Sequence, residues 1–167
     1  DWYKFRRYFL SKYPGKGEYF ITECEKYFQN LFFHENNKFS VNYILSDSPK
    51  KLVHYLTELN DKFNIAKTTP YDRKETLKKF NSLCSFDQKA SDEGNSGKKK
   101  KTLTNRKETV SFKNRKGKIQ DICCDLHLKI LKSDSEKIST KRRIYFHEEV
   151  EDIVTGKILI GHIGKHL

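Results

Sequence analysis

Apolar residues recur along this chain with two different periods, and the change between them divides it. From Glu18 to Phe33, the residues Phe20, Ile21, Cys24, Tyr27, Phe28, Leu31 and Phe32 fall at spacings of three, four and seven. That predicts a helix with one broad apolar face. Phe39, Val41, Tyr43 and Leu45 then alternate, which predicts a strand over 39–45. Ser48 is placed to cap the next helix and Pro49 fits its first turn. This helix runs to about Ala66 with Leu52, Leu56, Leu59 and Phe63 in a stripe. Asp72-Arg73-Lys74-Glu75 resembles a capping box and opens a shorter helix with Leu77, Phe80 and Cys84 inward.

After residue 107 the period is two. Thr109-Val110-Ser111-Phe112 is expected to pair, through the turn Asn114-Arg115-Lys116-Gly117, with a long strand from Lys118 to Leu131. On that strand Ile122, Cys124, Leu126, Leu128 and Ile130 share one face, and Asp121, Cys123, Asp125, His127 and Lys129 share the other. Arg142 to His147 is a second strand, with Ile144 and Phe146 inward and Arg143, Tyr145 and His147 outward. Lys157 to Ile163 is the last. The expected organisation is therefore an aromatic and basic arm with a helix (1–38), a strand with two helices (39–87), a flexible basic insertion (88–107) and an antiparallel sheet (108–167). The fold class is α+β, an antiparallel sheet packed on N-terminal helices.

Charge sharpens this division. The chain has 167 residues and a net charge of +12, so a polyanionic partner is the first expectation. Residues 1–87 carry 15 basic and 11 acidic side chains, residues 88–120 carry 11 and 3, and residues 121–167 carry 8 and 8. Most of the excess thus lies in and beside the insertion, where Lys98, Lys99, Lys100 and Lys101 run together, which suits either a solubilising loop or a phosphate-seeking arm. The C-terminal sheet is neutral, and a basic site on it must come from sorting of charge between faces. The first 16 residues interleave Trp2, Tyr3, Phe5, Tyr8, Phe9 and Tyr13 with Arg6 and Arg7. That pattern suits base stacking, packing on the domain, or gripping another subunit.

Several classes are disfavoured. No apolar run approaches about 18 residues and no charged-then-apolar leader is present, so neither a membrane span nor a signal peptide is expected. The chain has no Met, even at position 1, and residues preceding Asp1 are expected. Cys24, Cys84, Cys123 and Cys124 form no CxxC pair, and free thiols in a reducing cytoplasm are expected. Asp121 with Asp125-Leu126-His127-Leu128-Lys129 approximates a metal-nuclease pattern, but His127 occupies the position that needs a carboxylate for Mg²⁺. No metal and no cofactor is predicted.

From Phe39 onward, the order strand, helix, helix and antiparallel strands resembles the RelE/HigB superfamily of bacterial ribosome-associated mRNA endonucleases. The resemblance rests on Val41-Asn42-Tyr43-Ile44-Leu45-Ser46-Asp47-Ser48-Pro49-Lys50-Lys51-Leu52, on Leu126-His127-Leu128-Lys129-Ile130, on Arg143-Ile144-Tyr145-Phe146 and on Ile158-Leu159-Ile160-Gly161-His162-Ile163-Gly164-Lys165-His166. It covers about residues 39–167. The helical N-terminal extension and the basic insertion depart from that family's compact form.

The resemblance implies RNA cleavage without metal, by attack of the 2′-hydroxyl on the neighbouring phosphorus. Such chemistry needs a base, a cationic clamp and a proton donor. Arg143 and Lys129 are the expected clamp, a forked guanidinium beside a compact charge. His127 or His162 is the expected base or acid, because imidazole titrates near neutrality, and Tyr145 stacks or supports proton transfer. Arg115, Lys116, Arg142, Lys165 and His166 are expected to hold nucleic acid alongside the insertion lysines. Expected partners are RNA, including ribosome-bound mRNA, and a cognate antitoxin or complex subunit. The alternative is a non-catalytic subunit of a larger bacterial anti-phage defence complex that holds nucleic acid or protein.

Overall fold

The computed structural model describes residues 1–86, 89–92, 106–131 and 141–167. Among these residues six helices come in chain order: α1 (Trp2–Lys12), α2 (Gly17–Tyr27), α3 (Asn37–Ser40), α4 (Asn42–Leu45), α5 (Pro49–Ala66) and α6 (Arg73–Leu83). The strands are β1 (Leu31–Phe33), β2 (Ser91–Asp92), β3 (Thr109–Lys113), β4 (Ile119–Cys123), β5 (Leu126–Ile130), β6 (Arg142–His147) and β7 (Ile158–Lys165). Among the described residues, five strands form one sheet in the order β1-β7-β6-β5-β2, and β3-β4 is a separate hairpin. The fold is α+β as expected, but the sheet is mixed, because β1 runs parallel to β7.

Two α-helical expectations hold closely. Helix α5 buries Leu52, Leu56, Leu59 and Phe63. It starts on Pro49, although Ser48 gives its hydroxyl to Asp47 rather than to the helix end. Helix α6 is capped by the Asp72 carboxylate, which accepts from the Glu75 N–H at 2.8 Å. Phe63 of α5 sits edge-on to Phe80 of α6 and Phe146 of β6, at 5.3 and 5.5 Å between ring centroids. This aromatic knot joins both helices to the centre of the sheet.

Three expectations fail for identifiable reasons. The helix over 18–33 stops at Tyr27, where the Asn60 side chain accepts from the Asn30 N–H at 2.9 Å and the Asn30 amide donates to the Asn60 carbonyl. Leu31 to Phe33 is thereby released into the sheet. A three-residue apolar run carries no period of its own, so tertiary pairing decides it. The strand over 39–45 is helical instead. Val41, Ile44 and Leu45 are buried while Phe39 is 78% exposed, so the spacing of three and four prevails over the alternation. The long strand from 118 to 131 breaks at Cys124-Asp125, with β4 in the hairpin and β5 in the main sheet.

Asn37 makes the joint between helices and sheet. β1 covers only Ile158 to Ile160 of β7, and beyond it the wholly buried Asn37 side chain takes over. Its amide donates to the Ile160 carbonyl at 2.9 Å, and its oxygen accepts from the Ile163 N–H at 2.7 Å. One side chain thus mimics a strand peptide across a register shift in which Gly161 is passed over between β6 and β7. Gly161 also admits the hairpin, since a Cβ there would lie 2.6 Å from the Cys124 sulfur.

The sheet is covered on both sides. Leu126, Leu128, Ile130, Ile144, Phe146, Ile158, Ile160 and Ile163 face the helices. On the opposite side Tyr145 and Leu159 pack with Phe112, Ile122 and Cys124 of the hairpin region and Ile153. All four cysteines are free thiols.

Candidate functional site

The candidate residues lie on the hairpin side of the sheet, and pairing register sets their arrangement. His127 of β5 is opposite Tyr145 of β6, and Tyr145 is opposite His162 of β7. The next row places Lys129 opposite Arg143, and Arg143 opposite Gly164. Alternation puts His127 with Lys129 and Arg143 with Tyr145, and pairing with Tyr145 brings His162 to the same face. The ring centroids of His127 and Tyr145 are 5.8 Å apart, and those of Tyr145 and His162 are 6.0 Å apart. Arg143 Nη1 donates to the Tyr145 hydroxyl at 3.2 Å. The structure therefore brings together all five residues expected to carry chemistry.

Their exposure corrects the picture of an open working surface. Tyr145 is fully buried, His127 is 3% exposed and Arg143 6%, while Lys129 and His162 are half-buried. The two carboxylates that the strand pattern set on the same face, Asp121 and Asp125, are bonded to residues outside the row. Asp121 accepts from the Ser111 hydroxyl, and Asp125 accepts from Arg73 at 3.0 Å.

His162 has a defined tautomer. Its Nε2 faces the Lys165 carbonyl at 3.0 Å, and a carbonyl can only accept, so Nε2 carries the hydrogen and Nδ1 the lone pair of the neutral ring. Burial pushes its pKa below the ordinary value, with the carbonyl contact acting weakly against it. The ring is thus neutral at physiological pH. Ser91, at the sheet edge, is a member the sequence did not single out. It pairs in register with His127, and its hydroxyl lies 3.1 Å from His127 Nε2.

A partly buried ionic cluster holds the ends of β5 and β6. Arg73, at the start of α6, sends Nε and Nη2 to the two oxygens of Glu148, at 2.6 and 2.7 Å, and Nη1 to Asp125. Tyr71 also donates to Glu148. Asp125 immediately precedes β5 and Glu148 immediately follows β6, so one guanidinium ties both to α6. Burial alone would raise the Glu148 pKa, but the hydrogen bonds from Arg73 and Tyr71 outweigh it and lower the value to about 2. The alternating strand pattern gave no sign of this cluster.

The remaining expected contacts are scattered. Arg142 points to the helix side, is 6% exposed, and pairs with Asp47 beneath the Tyr43 ring; it does not join the row. Arg115 and Lys116 stand exposed at the hairpin turn and Lys165 is exposed at the end of β7. His166 is half-buried, with Nδ1 donating to the Leu167 carbonyl at 2.6 Å. Lys98 to Lys101 lie outside the described residues. Among the described residues no group of three His, Cys, Asp or Glu side chains is placed to hold a metal ion, and no helix is long and apolar enough to cross a membrane.

Compared with known proteins, the chain matches no family model, no curated protein and no solved structure.

Proposed function

We propose that this chain is an endoribonuclease that cleaves RNA without metal, at the row formed by His127, Lys129, Arg143, Tyr145 and His162. The observation that carries the reading is the register: two imidazoles flank a phenol on three adjacent strands, with two cations in the next row. In the proposed reaction the 2′-hydroxyl gives its proton to His162 Nδ1 and bonds to phosphorus. The bond from phosphorus to the 5′-oxygen breaks, and that oxygen takes a proton from His127. The products are a 2′,3′-cyclic phosphate and a 5′-hydroxyl. Arg143 and Lys129 stabilise the charge that grows on the phosphoryl oxygens. Tyr145, which accepts from Arg143, orients the guanidinium.

The finer reading, a RelE-like toxin or a toxin-derived defence component, is supported by the motifs on β5, β6 and β7 and by the pairing of those strands in sequence order. The helical conformation of 39–45 departs from that pattern. A protein inhibitor covering the row is the expected partner, and the site of action is the cytoplasm.

The decisive experiment incubates the protein with RNA in EDTA, beside an Arg143→Ala/His162→Ala variant, with and without ribosomes. Cleavage that persists in EDTA and vanishes in the variant supports the proposal; a cut that requires Mg²⁺ refutes its metal-free form. The burial of Tyr145, His127 and Arg143 favours a second reading, a non-catalytic subunit that holds nucleic acid or protein. Folded protein that binds RNA or a partner without cutting would establish that reading instead.

A further inference from the structure

The β3–β4 hairpin carries a concentrated charge that the proposed reaction does not use. Four of the six residues from Lys113 to Lys118 are basic (Lys113, Arg115, Lys116 and Lys118), and all four are exposed. Among the described residues none of the four forms an ion pair. The nearest acidic side chain along the hairpin, Asp121, is engaged by Ser111. Ile119, opposite Lys113, is 68% exposed beside these cations.

The turn that carries them is rigidly built. Asn114 Oδ1 accepts from the N–H groups of Lys116 and Lys118, at 3.0 and 2.9 Å, and the Asn114 N–H donates to the Lys118 carbonyl at 2.8 Å. Gly117 supplies the positive φ, +74°, that closes the turn. The hairpin is also fastened to its surroundings. The Arg115 N–H donates to the Asp152 carbonyl at 2.8 Å, one guanidinium N–H contacts the Thr155 hydroxyl, and His34 Nε2 donates to the Ser111 carbonyl at 3.0 Å. At its base Phe112 and Ile122 pack in the cluster that contains Tyr145. Four cations are therefore held on a pre-ordered platform, on the same side of the sheet as the catalytic row.

We infer that this hairpin tip is a binding site for the phosphate backbone of a polynucleotide, with Lys113, Arg115, Lys116 and Lys118 as its contact cations and Ile119 against sugar or base. The inference rests on the reading of RNA as substrate, because the bare charge would also suit an anionic membrane. A pre-ordered hairpin loses little backbone freedom on binding. It makes no demand on sequence, since phosphate contacts position a strand without reading it.

The test measures binding of a labelled single-stranded 2′-O-methyl RNA, which offers no 2′-hydroxyl for cleavage, from about 50 to 200 mM salt. Wild type is compared with a variant in which the four cations are glutamine, and with Lys116→Gln alone. Four contacts contribute a slope of about −3 in log affinity against log salt, roughly a 50-fold loss over that range. The four-fold variant should be shallower by that amount, and the single variant by about 0.7. Equal slopes for wild type and Lys116→Gln would overturn the inference even if the four-fold variant failed to fold. So would wild type that ignores the RNA but binds phosphatidylserine vesicles through the same cations. Cleavage of natural RNA with equal slopes removes the hairpin site alone. Differing slopes without any cleavage remove the endoribonuclease reading and leave the hairpin site standing.

Discussion

Arg143 and Tyr145 lie two residues apart on β6, and the guanidinium of the first donates to the hydroxyl of the second at 3.2 Å inside a closed part of the sheet. In the proposed reaction this bond positions the guanidinium. Arg143→Ala should lower RNA cleavage by about 10²–10³-fold, the usual cost of losing a donor aimed at developing charge. Tyr145→Phe removes only the hydroxyl; it should cost about 1 kcal/mol in urea unfolding and reduce cleavage less than Arg143→Ala does. Single-turnover rates on one RNA separate the two. Equal loss in both variants would mean that the phenol takes part in the chemistry rather than positioning the guanidinium.

Asn37→Ala should be among the most damaging single substitutions outside the sheet itself. It leaves the buried Ile163 N–H without its acceptor, at about 1–3 kcal/mol, and takes one of two donors from the Ile160 carbonyl, which keeps the His34 N–H. Asn37→Asp keeps an acceptor for the Ile163 N–H but sets a carboxylate oxygen against the Ile160 carbonyl, and should be no better. Urea midpoints give the comparison. Wild-type stability in Asn37→Ala would mean that water or a shifted β1 replaces the bridge.

These positions also show what the amino-acid pattern could and could not reveal. The strand period placed His127, Lys129, Arg143 and Tyr145 on one face, because alternation is a property of the backbone; His162 joins them only through the register shift that passes over Gly161, which alternation from Ile158 and Ile160 does not contain. Exposure did not follow from alternation, since burial depends on tertiary packing, such as that of Tyr145 with Phe112 and Ile122 of the hairpin. Helix α5 was legible from four apolar positions at helical spacing. The segment 39–45 was not, because Phe39, Val41, Tyr43 and Leu45 mimic alternation while Val41, Ile44 and Leu45 pack as a helix. The parallel pairing of Leu31–Phe33 with β7 joins residues more than a hundred positions apart, a relation that no local window contains. Ser91 and Asn37 gave no signal, for each acts through one long-range hydrogen-bond arrangement.

Glu148 gives the protein an acid-sensitive joint. Its folded pKa, about 2, lies below the ordinary carboxylate value of 4.5. The carboxylate therefore stabilises the fold fully above about pH 4.5, and that contribution is lost as pH falls toward 2. Its size is on the order of 3 kcal/mol at most, and less in practice because Arg73 is partly solvated and retains Asp125 as a partner. Glu148→Gln should lower stability at neutral pH and flatten the acid limb of the stability profile between about pH 4.5 and 2. Urea unfolding across that range checks it. An equally steep limb in the variant would assign the acid sensitivity to other carboxylates.

His162 sets the pH dependence of the proposed reaction. Burial lowers its pKa from the ordinary 6.5, so the lone pair on Nδ1 remains available at neutral pH and some way below. As a base it should give a rising acid limb in log kcat/KM whose midpoint lies under pH 6.5. The stability it contributes has the same sign: it is present above pH 6.5 and lost as pH falls through the lowered folded value. His162→Gln should remove the limb and slow cleavage by about 10²–10⁴-fold, the usual range for a positioned base. His127→Gln should also slow cleavage, since it removes the group assigned to protonate the leaving 5′-oxygen. If His162→Gln kept the acid limb, the base would have to be another group in the row.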